Sequence, residues 1–566
     1  MAALDEETSR RPSSGHVYDD PMRPAATPKN MKDLARMSEA DQRLWRAAYK
    51  EEMDGMNVNK ALVELGFAAI PRGKRALGCL VLFQKKDPDE EGQIRLKVRV
   101  VVRGCEQARE ESDNRWNAPT VATALLKMVA IKAVSEGKQV IAADIKQAFL
   151  KSEIDTDVEQ IYIKLMDEHG QMRYYMLAKG LYGLRSSPGR WFARFSADLR
   201  AYGLRSFPYN PCLWTDGVTT LAVHVDDSMI VSTGPGCEDL IRYLRWCYGP
   251  DSVNVKPMSD VDAHFLGQTW HFNTADRTVT IKQTASIDRL LDSTDMMDCN
   301  GVDTPAVANG HLAAQEEEGR DPRHNAVAGQ LLWLLQSRPD IGYAVKELCR
   351  HNNKNGAEHA EYRKRIIRYL KRTRDQGLVL RGGQDLQLAV WSDSGWAECK
   401  DTRKCTSGLV VTLGSSVIYS KSYTQPTIAT SSCEAELYAQ FAAALYVQHF
   451  RWAAQFLELE QQGPTILYTD SQSAMKMLRR PEPGARSKHL DMRFFKIKEL
   501  VDKNVVHLVH EGTDTLVADI LTKPLGPEKF RPHADRLLQG LVFPVGGARM
   551  DHEESKTEDE SDGQEL

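Results

Sequence analysis

The segment LAVHVDDSMIVS (221–232) constrains the chain most: two apolar runs meet at Asp226-Asp227, the pattern of two strands joined in a hairpin. A second apolar run, Val140-Ile141-Ala142-Ala143, closes on Asp144 within QVIAADIKQAFL (139–150), which reads as a buried strand running into a helix. Taken singly, an Asp-Asp turn is an ordinary solvated hairpin, and an Asp after a strand is an ordinary helix cap. If the strands are sheet neighbours, the three carboxylates converge. Mg²⁺ favours carboxylate oxygens, and aspartates at strand ends suit a pair of ions about 3.5–4 Å apart.

The surrounding elements alternate. A helical pattern covers Asp41–Leu65 through Trp45, Ala48, Glu52, Met56 and Asn59. LGCLVLFQKK (77–86) and IRLKVRVVVRG (94–104) read as strands separated by the polar turn DPDEEGQ. The second alternates Leu96, Val98 and Val100 with Lys97 and Arg99, which gives it one basic face. A helix is expected between Asn117 and Ser135, and a helical region spans roughly 284–375, ending in EYRKRIIRYLKRTR. A separate α/β pattern then begins. It has strands at 387–393 and 408–421, a long helix from Ser432, strand ILYTD (466–470), another helix, strand VVHLVH (505–510) and a short helix around Ala518.

Four acids punctuate this last pattern. Asp393 closes LQLAVWSD, Glu436 lies one turn into the long helix, Asp470 closes ILYTD, and Asp519 sits in VADILTKPL. Glu434 and Glu436 are two residues apart, so at about 100° per residue they point to nearly opposite faces. Ser431-Ser432-Cys433-Glu434 fits a capping box in which Glu434 reaches back to the Ser431 N–H, while Glu436 shares its face with Ala439 and Ala443. Asp393-Ser394-Gly395 is also the triplet of aspartic proteases. There apolar residues precede it, whereas here Trp391-Ser392 do.

The formal charge of −4 divides unevenly: the last sixteen residues hold eight acids and one lysine, which leaves residues 1–550 at +3. A mildly basic body with an acidic tail is compatible with nucleic acid as a partner. Ten scattered cysteines without a C-x-x-C pair fit reduced thiols rather than a disulfide scaffold or zinc knuckle. No run of 18 apolar residues and no signal-peptide stretch is present, so the expectation is an intracellular chain, cytoplasmic and particle-associated or nuclear, without membrane partners.

Several blocks, in order, resemble the Pol polyprotein of copia-type long-terminal-repeat retrotransposons. They are KVRVVVRG (97–104), DIKQAFL (144–150), LAKGLYGLRSSPGRWF (177–192), HVDD (224–227), FLG (265–267), RPDIGYAV (338–345) and RYLKRT (368–373). SDSGWAECKDTRKCTSG, SSCEAELYA, YTDSQSA, ARSKHLDMRF and ADILTKPL continue the resemblance to about residue 525. Three departures stand out: His224 for the family's Tyr, Val102-Arg103 for Ala-Lys, and Arg185-Ser186 for Lys-Gln.

The resemblance implies an α+β right-hand polymerase with fingers, thumb and a ferredoxin-like palm, followed by an α/β ribonuclease H-like domain. Its implied boundaries are a disordered segment at 1–39, fingers and palm at 40–275, and thumb and connection at 276–385. The ribonuclease H-like domain follows at 386–525, then a C-terminal segment with a disordered acidic tail at 526–566. The implied activity is RNA-directed DNA synthesis with cleavage of RNA in RNA–DNA hybrids. Asp144, Asp226 and Asp227 in one site, and Asp393, Glu436, Asp470 and Asp519 in the other, would each hold two Mg²⁺ or Mn²⁺ ions. Lys97, Arg99, Phe149, Gly183 and Arg185 would meet the deoxynucleoside triphosphate, with Phe149 excluding a 2′ hydroxyl. Arg486, Lys488, His489 and Arg493 would follow the hybrid backbone. The implied partners are an RNA template, a DNA primer and their hybrid. The lack of protease, integrase or zinc-knuckle motifs points to a processed product or gene fragment. The rival expectations are a catalytically degenerate or domesticated relic that binds nucleic acid, and a nuclease with a structural polymerase half.

Overall fold

The computed structural model describes residues 17–18, 26–66, 70–86, 94–107, 118–308, 310–315, 321–478 and 491–541. The chain divides into two compact units, Met1–Arg277 with Ala453–Leu459, and Thr278–Trp452 with Glu460–Leu566. Among the described residues no helix is long and apolar enough to cross a membrane.

The first unit begins with β1 (Val17–Tyr18), α1 (Met31–Leu34), α2 (Glu39–Val58), β2 (Leu62–Leu65), β3 (Leu77–Lys85) and β4 (Ile94–Val102). It continues with α3 (Thr123–Glu136), β5 (Gln139–Ile145), β6 (Tyr162–Met166), β7 (Met172–Leu177), α4 (Ser187–Tyr202), β8 (Arg205–Phe207) and β9 (Asn210–Thr215). β10 (Thr220–His224), β11 (Asp227–Ser232), α5 (Gly234–Tyr248), β12 (Val253–Pro257), β13 (Asp262–Phe265) and β14 (Gln268–Asn273) complete it. One sheet has the order β1-β4-β3-β6-β7-β2 and another β12-β5-β11-β10-β9-β8.

Ser38 caps α2 by accepting from the Asp41 N–H, and the helix buries Trp45, Ala48, Tyr49 and Met56 against Leu96, Val98 and Val100 of β4. The expected basic face of β4 is present, with Lys97 and Arg99 half-buried between those apolar residues. The turn expected between β3 and β4, at 87–93, lies outside the described residues. The helix expected to reach Leu65 stops at Val58. Lys60 takes a left-handed conformation (φ 53°), and Leu62–Leu65 forms a strand pairing with β7. Likewise, β5 leads into one short 3₁₀ turn, Ala148–Lys151, rather than a full helix, because Gln147 is left-handed (φ 52°). α3 buries every residue from Ala124 to Val134, which makes it a core helix; it packs on β10 and β11.

The second unit begins with β15 (Thr278–Lys282), α6 (Thr284–Ser293), α7 (His324–Leu334), α8 (Gly342–Cys349), α9 (Ala357–Arg372) and β16 (Leu378–Arg381). β17 (Leu388–Gly395), β18 (Thr406–Leu413), β19 (Ser416–Thr424), α10 (Ser432–Phe456), β20 (Thr465–Thr469) and α11 (Gln472–Leu478) follow. α12 (Asp491–Asp502), β21 (Val506–His510), a 3₁₀ helix at Val517–Leu521 and α13 (Pro527–Gln539) end it. Its five-stranded sheet runs β19-β18-β17-β20-β21; β17, β18 and β19 are antiparallel, and β20 and β21 parallel to β17. Trp391 on β17 stacks on Tyr468 of β20 at 4.8 Å.

The helical part of this unit is tied by a fully buried ion pair. Arg338 Nη2 lies 2.7 Å from Asp340 Oδ2, and Arg338 also donates to the Thr373 carbonyl and hydroxyl at the end of α9. The Tyr369 hydroxyl donates to the same Asp340 carboxylate. Arg338→Met leaves that carboxylate buried without its cation, so it should cost about 3–5 kcal/mol of stability. Thermal melting checks this: the midpoint should fall sharply for Arg338→Met and partly recover when Asp340→Asn is added.

Candidate active site

Backbone pairing brings the first three acids together. β11 pairs with β5 in a register that sets Asp227 opposite Asp144, and β12 sets Asn254 opposite Asp144 from the other side. Asn254 Nδ2 donates to Asp144 Oδ2 at 3.1 Å. Asp226 sits in the two-residue turn between His224 and Asp227, where Val225 is left-handed (φ 63°). That turn is held from two sides. Trp191 Nε1 donates to the Val225 carbonyl at 2.8 Å, and the Ile145 N–H donates to the Asp226 carbonyl at 3.3 Å.

Asp144 and Asp226 border a cleft of about 420 Å³ whose lining also includes Lys97, Arg99, Gln147, Tyr182, Asn254 and Glu52. Burial, then the nearby Asp144, holds Asp226 above the usual carboxylate range, with Arg99 and Lys97 opposing the shift. Asp227 is pushed up to about 6 by burial and by Asp226 and Asp144. Burial and the neighbouring Arg99 lower Lys97. The Arg99 guanidinium lies 5.5 Å from the Tyr182 ring centroid.

The other expected nucleotide residues do not line the cleft. Phe149 meets Tyr182 edge to face at 5.1 Å. Gly183 (φ 87°) abuts β4 so closely that a Cβ would fall 2.1 Å from the Val102 carbonyl oxygen, so glycine is required there by packing. The Arg185 backbone and side chain both reach Gln107. His224 is paired across the ladder with Asp227, and its buried Nδ1 has no hydrogen-bond partner. The sequence reading assigned no site role to Glu52, Tyr182 or Asn254. Tyr182 stands inside LAKGLYGLRSSPGRWF, whereas Asn254 carries no local signal.

In the second unit, Asp393, Glu436 and Asp470 each offer an oxygen within 4.8 Å of the others, a group that can hold a metal ion. Asp393 comes from β17, Glu436 from the first turns of α10, and Asp470 from just beyond β20. Glu436 Oε1 accepts the Ser394 N–H at 3.1 Å, while its buried Oε2 has no partner. Burial, then Asp393 and Asp470, raises Glu436 well above the ordinary carboxylate range. An orphaned carboxylate oxygen among like charges is the environment a divalent cation relieves. Asp519 is not in this group: its carboxylate lies 2.8 Å from Lys523 Nζ, and burial and Asp393 push it up to about 8.

Glu434 has a different job. Its carboxylate accepts from the N–H and hydroxyl of Thr430, both at 2.7 Å, and from the Tyr438 hydroxyl. The capping expected at Ser431 thus differs in one contact: Ser431 Oγ accepts the Glu434 N–H at 3.1 Å, but the Glu434 carboxylate reaches one residue further back. Ala439 and Ala443 are buried, as expected of the Glu436 face. Arg493 lies over the Tyr438 ring at 4.3 Å, and Arg486, Lys488 and His489 fall outside the described residues.

The reverse transcriptase (RNA-dependent DNA polymerase) family model matches residues 65–308. The Pol polyprotein of transposon TNT 1-94 from Nicotiana tabacum is 29% identical over 543 residues, covering 93% of this chain and 40% of that protein. The Pol polyprotein of transposon RE1 from Arabidopsis thaliana is 27% identical over 472 residues, covering 81% and 31%. The chain belongs to the copia-type retrotransposon Pol family. An uncharacterized mitochondrial protein of Arabidopsis thaliana is 30% identical over 235 residues, 41% of this Pol chain and 94% of that protein. A foamy viral protease-reverse transcriptase, solved with an RNA/DNA hybrid, gives a TM-score of 0.42 at 12% identity, covering 87% of this Pol chain and 64% of that one. This Pol chain spans less than half the length of the two transposon polyproteins.

The raised Asp227 carboxyl yields a pH test. It titrates near 6 when folded but near 4 when unfolded, so its ionisation opposes folding fully above about pH 6 and not at all below about pH 4. In metal-free buffer, Asp227→Asn should raise the melting temperature at about pH 7.5 and lose that gain at about pH 4. The same gain at both pH values would refute the assignment.

Proposed function

We propose that this Pol chain is an RNA-directed DNA polymerase whose second acidic site cleaves RNA in RNA–DNA hybrids. The observation that carries the first half is the ladder register that holds Asp144 against Asp227, with Asp226 turned into a cleft that Lys97 and Arg99 also line. Acids and cations lining one cleft suit a triphosphate: the lysine and guanidinium would meet its oxygens, while the acids would hold its divalent ions. Mg²⁺, or Mn²⁺ in its place, supplies charge neutralisation and activation of an attacking oxygen when bound. The protein's own contribution is placement. Asn254 orients the Asp144 carboxylate, and Trp191 fixes the turn that carries Asp226. Phe149, which does not itself line the cleft but packs on Tyr182, which does, is assigned as the ring that excludes a 2′ hydroxyl by backing Tyr182.

The second half is supported by the strand order β19-β18-β17-β20-β21, the arrangement of a ribonuclease H fold, and by carboxylates arriving on strand, helix and strand. Residues 40–275 are assigned to fingers and palm, 276–385 to thumb and connection, and 386–525 to the ribonuclease H-like domain. The deoxynucleoside triphosphates, RNA template and DNA primer are the proposed partners.

Two separable activities are expected, because the acid groups lie in different units. Asp226→Asn should abolish primer extension on a homopolymer RNA template and leave hybrid cleavage; Asp470→Asn should do the reverse. A chain that only binds nucleic acid would show neither activity in the parent.

Within α10 the two glutamates should divide function from stability. Glu436→Gln should eliminate cleavage with little change in melting temperature. Glu434→Gln should retain most cleavage and cost about 1–3 kcal/mol through its lost hydrogen bonds. Cleavage lost on changing Glu434 but not Glu436, in folded protein, would reverse the assignment.

A further inference from the structure

Gln147, three residues beyond Asp144, has a left-handed backbone (φ 52°), a conformation disfavoured for any residue with a Cβ. Such a residue persists where surrounding contacts hold it. Here the contacts are polar and come from α2. Asn59, the C-cap of α2, donates its Nδ2 to Gln147 Oε1 at 3.1 Å and to the Gly55 carbonyl at 2.8 Å. Its Oδ1 accepts from Lys151 Nζ at 3.0 Å, so one amide holds both ends of the 3₁₀ turn Ala148–Lys151.

The far end of the Gln147 side chain lies against Gly55. A Cβ at Gly55 would fall 2.2 Å from Gln147 Nε2 and 2.9 Å from its amide carbon, so the glycine makes room for that amide within α2. Glu52, three residues earlier and on the same helix face, extends the chain of contacts. Burial raises its carboxyl, while the Val100 N–H, then Lys97 and Arg99, and the Gln147 amide draw it back down. The Val100 N–H, on β4, donates to it at 3.4 Å. Glu52, Gly55 and Gln147 all line the cleft that Asp144, Lys97 and Arg99 share. β5, with Asp144, and β4, with Lys97 and Arg99, belong to different sheets. Gln147 therefore joins the turn behind Asp144 to the helix that packs on the cation-bearing strand.

We propose that Gln147 is a positioning residue for nucleotide binding: it locks the turn behind Asp144 to α2 and so fixes Lys97 and Arg99 relative to Asp144. The proposal rests on the polymerase reading of the cleft. A triphosphate with its ions would touch both strands at once, so it binds better when their separation is already set. Without the lock the same groups remain, but binding must also order the strands.

The test varies dTTP in primer extension by the full chain on a poly(rA) template with an oligo(dT) primer. Gln147→Gly removes the amide and suits the left-handed backbone, so the fold should stay intact by circular dichroism. It should raise KM for dTTP about tenfold, the scale of one or two net hydrogen bonds, and change kcat less than about twofold. Gly55→Ala should raise KM similarly, by pushing the amide aside. Combined, the two changes should match Gln147→Gly alone, because the amide that alanine displaces is already gone. An unchanged KM in Gln147→Gly, or effects that multiply in the double variant, overturns the proposal. Melting temperature gives a second cycle that needs no catalysis. Gly55→Ala should lower it in the parent and raise it beside Gln147→Gly, where alanine simply favours the helix. A parent without extension refutes the polymerase reading, whereas the same temperature change in both backgrounds refutes the lock.

Discussion

Like-charged carboxylates do not gather unaided; something stiffer than their repulsion must hold them. In both units that restraint is a β-ladder. β5 lies between β11 and β12, so the Asp144 backbone is fixed on two sides, with Asp227 across one ladder and Asn254 across the other. β17 lies between β18 and β20; its ladder with β18 reaches Asp393, opposite Gly408, whereas its ladder with β20 ends two residues earlier, at Trp391. Each ladder hydrogen bond contributes little alone, but an acid in mid-sheet cannot retreat without breaking several. Burial first, and then the neighbouring acids, hold the Asp226, Asp227 and Glu436 carboxyls above the usual carboxylate range.

Each site answers its excess negative charge differently. In the first, Lys97 and Arg99 stand on β4 along the cleft lining, half-buried, beside Glu52 of α2, which accepts the Val100 N–H. In the second, Lys523 is held directly against an acid by a one-turn spacing. The first arrangement leaves an open cleft of about 420 Å³ in which an anion can be received. The second places a positive charge inside the cluster itself.

The pair Glu434 and Glu436 shows how neighbouring acids of one helix acquire different roles. Both are buried, so exposure does not separate them. Partners do: Glu434 has its oxygens satisfied by Thr430 and Tyr438, while Glu436 keeps one oxygen unpaired and sits with Asp393 and Asp470. A satisfied carboxylate closes a helix end; an unsatisfied one among its own kind awaits a cation.

Local pattern was enough to read the strands carrying Asp144, Asp227 and Asp393, the hairpin at Asp226 and the long helix from Ser432, because apolar periodicity and turn chemistry are properties of contiguous residues. The motif blocks likewise contain Asp144, Asp226, Asp227, Asp393, Glu436, Asp470 and Asp519. Periodicity failed at Lys60 and Gln147, where single left-handed residues end elements that the apolar spacing would continue. Only the tertiary structure decided which acids share a point. Asp519 carries as strong a local motif as Asp470, yet Lys523 holds it while Asp470 joins Asp393 and Glu436. Sheet register and the path of the chain between distant segments set those distances, and neither is written in the residues on either side of an aspartate.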